Sequence, residues 1–256
     1  MMVMGKRGQA TLFIILGIVL VIIVALYLVG VKTEIIPPLL ASSDAVSEMA
    51  EIEEHIEDCL TDIGTDYVTI LGLQGGYISP ADDTYRLYND TTVSYHCWNR
   101  ESVALCTNRL VTISHMEEEL QDAIDSALST CINVYDYSSD VEADSDWELE
   151  VAINFNEVQL DLYYPVSVDK GEDDFASEDE FSKSLDVPLG ELYEVALDVV
   201  NDHALYGEFD QLLYMLSKLS RYTIYKHKPY PDIIYQAKLR EDDYVFQFAI
   251  QGEENV

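Results

Sequence analysis

Apolar and polar positions alternate in several distinct ways along this chain, and each pattern predicts a different kind of element. Leu12 to Val31 is a run of 20 residues without a charge, and at ~1.5 Å of rise per residue it can cross the ~30 Å hydrocarbon layer of a bilayer. Residues 9–31 are therefore expected to form a transmembrane helix behind a short leader, residues 1–8. Lys6 and Arg7 precede the run and Lys32 follows it, a bias that predicts the N-terminus inside and the remainder outside. Residues 32–43 contain Pro37-Pro38, which cannot continue a hydrogen-bonded helix and reads as a linker.

From Asp44 the period becomes helical. Val46, Met49, Ile52, Ile56, Cys59, Leu60 and Ile63 recur at three- and four-residue steps, predicting an amphipathic helix that continues through Tyr67 and Leu71. Gly75-Gly76 stops it. Residues 77–113 read as strands and turns, with Thr91–Tyr95 and Leu110–Ile113 extended. Ser114 with Glu117 forms a capping box, after which Met116, Leu120, Ile124, Leu128 and Cys131 line a second helix. Trp147–Ile153 and Val158–Tyr164 alternate apolar with polar residues, as the two arms of an antiparallel hairpin do. Glu172–Glu180 reads as a solvated loop. A third helix begins near Leu189, with Leu192, Val195, Ala196, Val199 and Val200 on one face, and a helical stretch covers Phe209–Leu219. Tyr222–Tyr225, Ile233–Leu239 and Tyr244–Ile250 close the chain as strands. The expected fold class is α+β: one N-terminal transmembrane helix, then an extracellular mixed helix and antiparallel-sheet domain over 44–256. That domain is either one body or two lobes split near 135–146.

Charge changes the picture of the environment. Asp and Glu number 48 against 14 Lys and Arg, giving a net charge of −34 and a sequence pI near 4.1. Such self-repulsion opposes a compact state at low ionic strength, while ~1 M salt shortens screening to ~3 Å. The composition therefore suits a protein folded in concentrated salt, as in a halophilic lineage. Nucleic acid is excluded as a partner, because phosphate binding relies on Lys and Arg. Six of the 14 basic residues fall between Lys218 and Arg240, a cluster that docks an acidic neighbour or offsets local repulsion.

Candidate chemistry is sparse. Outside a membrane Cys59, Cys97, Cys106 and Cys131 should oxidise. Cys59 and Cys131 occupy matching ends of two amphipathic helices and Cys97 and Cys106 flank a short segment, so the expected pairs are 59–131 and 97–106. Zinc is disfavoured because no cysteine pair has ligand spacing. Asp136, Asp140, Asp144 and Asp146 lack the order of a Ca²⁺ loop. The five histidines form no HExxH pair, and no GxSxG, GxxxxGK or GxGxxG is present. Catalytic residues, metal ligands and cofactors are accordingly assigned as none, and the chain is expected to be non-enzymatic. Asn89-Asp90-Thr91 is an N-glycosylation acceptor.

The junction Lys6-Arg7-Gly8-Gln9, followed by Thr11–Gly17, resembles the class III signal of archaeal pilins, which implies cleavage between Gly8 and Gln9. Phe13 stands where such pilins typically carry Glu. Together with Cys59-Leu60, Leu71–Ile78, Cys131-Ile132, Tyr164-Pro165, Val187–Gly190 and Phe246–Ala249, the chain resembles uncharacterised archaeal membrane-anchored proteins with pilin-like N-termini. That resemblance implies a single-pass cell-membrane protein whose domain faces outward. The expected function is display of a disulfide-stapled domain for envelope or cell-cell interaction, with other surface proteins as partners and homo-oligomers forming through the transmembrane helix. The alternative is a membrane-tethered solute-binding or accessory subunit of a transport or secretion complex.

Overall fold

A computed structural model describes residues 43–99, 105–171 and 173–252. Residues 44–256 group as one compact unit. The apolar stripe predicted from Asp44 onward forms helix α1 (Asp44–Leu73), with Met49, Ile52, Ile56, Leu60, Val68 and Leu71 all buried along one side. The helix ends as the glycines require. Gly75 and Gly76 both take positive φ, and Gly76 N–H donates to Leu71 C=O at 2.8 Å, closing the last turn in the manner of a Schellman cap.

Two sheets follow. In the first, β1 (Tyr85–Tyr88), β2 (Thr91–Trp98), β10 (Phe246–Ile250), β9 (Ile233–Leu239) and β8 (Tyr222–His227) lie in that order, and β3 (Thr107–Asn108) also pairs with β2. β10 runs parallel to β2 and antiparallel to β9. In the second, β6 (Val158–Gly171) is central: β7 (Asp174–Leu185) takes one edge, while β5 (Glu148–Ile153) and β4 (Val141–Ala143) share the other. The β5–β6 hairpin follows the predicted alternation, with Ile153 opposite Val158. Helix α2 (Ile113–Cys131) lies against α1 and β5, and α3 (Leu189–Tyr206) covers β10 and β9. A short helix α4 (Gln211–Ser217) rests on β8.

α1 serves both sheets. Its middle reaches the second through Gly64, where an added Cβ would stand 2.6 Å from Leu160 Cδ1 and 3.0 Å from Leu185 Cδ1. Its end reaches the first through Gly72, packed under Tyr244, whose hydroxyl donates to Val68 C=O at 3.1 Å.

Three local expectations are corrected. Glu172–Glu180 is largely strand β7 rather than loop, because Phe181 and Leu185 bury beneath α1 and Lys183 pairs with Glu57 at 2.8 Å. Leu110–Ile113 is not a strand. Leu110 N–H is taken by Asn108 Oδ1 at 2.9 Å, and the α2 cap is Thr112, whose side chain accepts from His115 N–H, in place of Ser114.

The larger correction concerns the membrane. Gly8, Gln9 and the run 9–31 lie outside the described residues, as does the linker 32–42. Among the described residues no helix is long and apolar enough to cross a membrane. The longest, α1, carries exposed carboxylates at Glu51, Glu54, Asp58, Asp62 and Asp66. The mixed α+β architecture stands. The transmembrane helix, membrane contact through residues 9–31, oligomerisation through that helix and the single-pass localisation are withdrawn.

Candidate functional site

The cysteines form two disulfides, Cys59–Cys131 and Cys97–Cys106. The first joins α1 to the end of α2. The second ties the end of β2 to the residue before β3.

Beside the first disulfide an open cavity of about 260 Å³ is lined by His55, Cys131, Asn133, Asp136 and Tyr137. His55 Nε2 lies 3.2 Å from Cys131 C=O and 3.8 Å from Cys59 Sγ. A neighbouring hollow shares Tyr137 and contains Lys170, whose ammonium pairs with Glu48 and, at 3.2 Å, with Asp140. The Lys170 hydrogen bond holds the Glu48 carboxyl below the usual range. A cation held between two carboxylates is spent on structure. Neither hollow brings a nucleophile and base together with a third orienting group, the geometry that would assign chemistry.

The first sheet buries a chain of polar groups. His227 Nε2 lies 3.1 Å from Gln236 Oε1, Gln236 Nε2 donates to Gln247 Oε1 at 2.6 Å, and Gln247 Nε2 donates to Leu73 C=O at 2.8 Å. His96 lies fully buried against Phe246 and Phe248, beside Gly75, with neither ring nitrogen hydrogen-bonded within ordinary geometry. Burial pushes its pKa down to about 4, the Gly75 backbone opposing only in part. His203 is likewise pushed down to about 4, first by burial and then by Lys226, and it shares a 2.8 Å hydrogen bond with the Tyr235 hydroxyl. Both imidazoles are neutral at pH 7 and closed to solvent. Glu191, also buried, is held by Arg221 Nη2 at 2.6 Å and by the Tyr222 hydroxyl at 2.7 Å.

Among the described residues no three or more His, Cys, Asp or Glu side chains converge as metal ligands. Asp140 is occupied by Lys170, and Asp144 N–H bonds Pro165 C=O. Asn89 sits exposed at positive φ in the β1–β2 turn, where a sequon is open to solvent.

The feature missed by motif reading is on α4. Asp210 caps it, its carboxylate accepting from Leu212 N–H at 3.1 Å and Leu213 N–H at 2.9 Å. Tyr214 turns inward, donating to Asp198 of α3 at 2.8 Å, and Met215 packs against the core. That fixes the opposite face outward. Leu212, Leu213 and Leu216, at helical spacings of three and four, are all exposed, and Leu219 is 92% exposed. Leu219 and Ser220 both adopt positive φ, a conformation costing a leucine roughly 1–2 kcal/mol. Leu205 and Tyr206, at the end of α3, are exposed too. The only sequence signal for this ridge was an apolar density in QLLYMLSKLS too high for a seven-residue helix to bury.

No protein-family model, no curated protein and no solved structure matches the chain, so the resemblance to pilin-like membrane-anchored proteins gains no support and is withdrawn with the anchor.

Proposed function

We propose that the domain acts by binding rather than catalysis, as a disulfide-braced α+β module that docks a protein partner through the leucine ridge of α4. This replaces both readings that needed an anchor, cell-surface display and a membrane-tethered accessory subunit, since among the described residues no helix is long and apolar enough to cross a membrane.

The observation that supports it is the outward set Leu212, Leu213, Leu216 and Leu219 on a chain of net charge −34. Fully burying a leucine is worth about 1.5–3 kcal/mol, so four leave several kcal/mol unclaimed in the isolated domain. Contiguous exposed apolar surface marks interaction sites. The positive φ at Leu219 and Ser220 closes the end of α4, with Leu219 N–H donating to Leu216 C=O at 3.2 Å and Ser220 N–H to Met215 C=O at 2.8 Å, and the same turn leaves the Leu219 side chain in solvent.

The test is a triple variant, Leu212→Ser, Leu213→Ser and Leu216→Ser, compared with the parent for thermal stability and for binding of an apolar dye. Leucines reserved for a partner leave the melting temperature within about 2 °C and take dye binding away with them. A fall of more than about 5 °C makes them part of the fold and overturns the proposal.

A further inference from the structure

The hollow beside the first disulfide holds a reactive pair of atoms. His55 and Cys59 stand one turn apart on α1, and Cys131 is the last residue of α2. Cys131 C=O can only accept, so His55 Nε2, 3.2 Å from it, carries a hydrogen. The same Nε2–H lies 3.8 Å from Cys59 Sγ. The two sulfurs are therefore unlike. Cys59 is buried with a hydrogen-bond donor beside its sulfur. Cys131 is half-buried, lines the cavity and ends a helix, where the partial negative charge of the helix C-terminus opposes a thiolate. The second disulfide lacks this arrangement: Cys97 is fully buried with its Sγ 4.0 Å from Val200 C=O, an oxygen that repels negative charge on sulfur.

We infer that Cys59–Cys131 is a thiol-exchange site, in which a small thiol enters the His55 cavity, attacks Cys131 Sγ and expels Cys59. The entering thiolate bonds to Cys131 as the Cys59–Cys131 bond breaks, and the bonding pair leaves on Cys59 Sγ, where His55 Nε2–H meets it. A second thiol then attacks the sulfur of the first, forms a small-molecule disulfide and releases Cys131. In total two thiols are oxidised by two electrons, the protein disulfide is reduced, and the two thiol protons end on Cys59 and Cys131. His55 speeds the first step because a stabilised thiolate leaves faster. The cavity also selects the thiol. Its volume of about 260 Å³ suits a small molecule rather than a folded partner. Asp136 lines it, and Glu51 and Glu54 add to burial in raising the pKa of the Tyr137 hydroxyl. The approach is therefore negative and favours a cationic thiol over an anionic one. Exchange makes the crosslink between α1 and α2 reversible. The disulfide reacts once per chain, so this inference stands independently of the docking role of α4.

The experiment treats the full chain, folded in NaCl, with excess cysteamine, quenches with acid at intervals, alkylates and maps the cysteines by mass spectrometry. The first product is expected to carry cysteamine on Cys131 and the alkyl group on Cys59, while Cys97–Cys106 survives at least about tenfold longer. Cysteamine should outpace mercaptoacetate at equal thiolate concentration, by a margin that narrows as NaCl rises. His55→Leu should slow exchange at Cys59–Cys131 about tenfold and leave Cys97–Cys106 unchanged. A histidine that served packing alone would, on removal, loosen the helix pair and quicken the reaction. A first adduct on Cys59, equal loss of the two disulfides, no preference for the cationic thiol, or a His55→Leu rate at or above the parent's overturns the assignment.

Discussion

Two disulfides of very different span in one domain allow the entropy of chain crosslinking to be read without leaving the molecule. Cys59 and Cys131 are 72 residues apart and Cys97 and Cys106 only 9. In the chain-entropy account the longer ring restricts the unfolded ensemble by about 4.4 kcal/mol and the shorter by about 2.7 kcal/mol. Packing losses are comparable, because Cys59 is 3% exposed and Cys97 fully buried. Cys59→Ala/Cys131→Ala is therefore expected to cost about 1.5–2 kcal/mol more than Cys97→Ala/Cys106→Ala. Urea unfolding followed by circular dichroism, at fixed high salt, would show this as a midpoint lower by roughly 0.5–1 M in the first variant. Should the short-ring variant lose as much or more, the reasoning is refuted, and the stabilisation lies in native contacts around the Cys97–Cys106 disulfide.

Other expectations follow from buried groups and backbone geometry. His96 titrates near 6.5 unfolded and near 4 folded, so between those values the unfolded chain binds the extra proton: its stability contribution is complete above pH 6.5 and is lost as pH falls toward 4. About 2 kcal/mol should disappear between pH 7.5 and 5, with His203 adding in the same direction, and His96→Leu should flatten the slope of urea midpoint against pH. Gly76→Ala forces a non-glycine residue to φ +85° with its Cβ 2.6 Å from Val111 Cγ1 and 2.7 Å from Met116 Sδ. A loss of at least about 2 kcal/mol in chemical denaturation is expected, and an unchanged midpoint would mean that the turn readily relaxes. Arg221→Ala leaves the Glu191 carboxylate buried with only the Tyr222 hydroxyl, at a cost of roughly 3 kcal/mol. Glu191→Gln in the same background should recover part of it, and an Arg221→Ala melting temperature equal to the parent's would show the pair to be idle.

Local period carried much of the architecture. The stripe on α1, the β5–β6 alternation and the apolar face of α3 each repeat at one spacing over a long window, so they are readable before any tertiary contact is known. β7 was not, because Glu178, Asp179 and Glu180 interrupt its alternation and its burial comes from α1, more than a hundred residues earlier. The start of α2 turned on a choice between two neighbouring hydroxyls, Thr112 and Ser114, which composition cannot decide. The ridge on α4 was illegible for a related reason. QLLYMLS offers apolar residues to every side, and only Tyr214 reaching Asp198, with Met215 packed inward, determines which ones are left facing water.

The placement of α1 across both sheets bears on how the domain comes apart. Gly64 seats the helix on Leu160 and Leu185 of the second sheet, and Gly72 seats it on Tyr244 beside the first. Neither sheet can release the helix without stripping cover from the other. The two sheets should therefore melt in a single cooperative step, and the amides at the centre of α1 should exchange with solvent only through global opening.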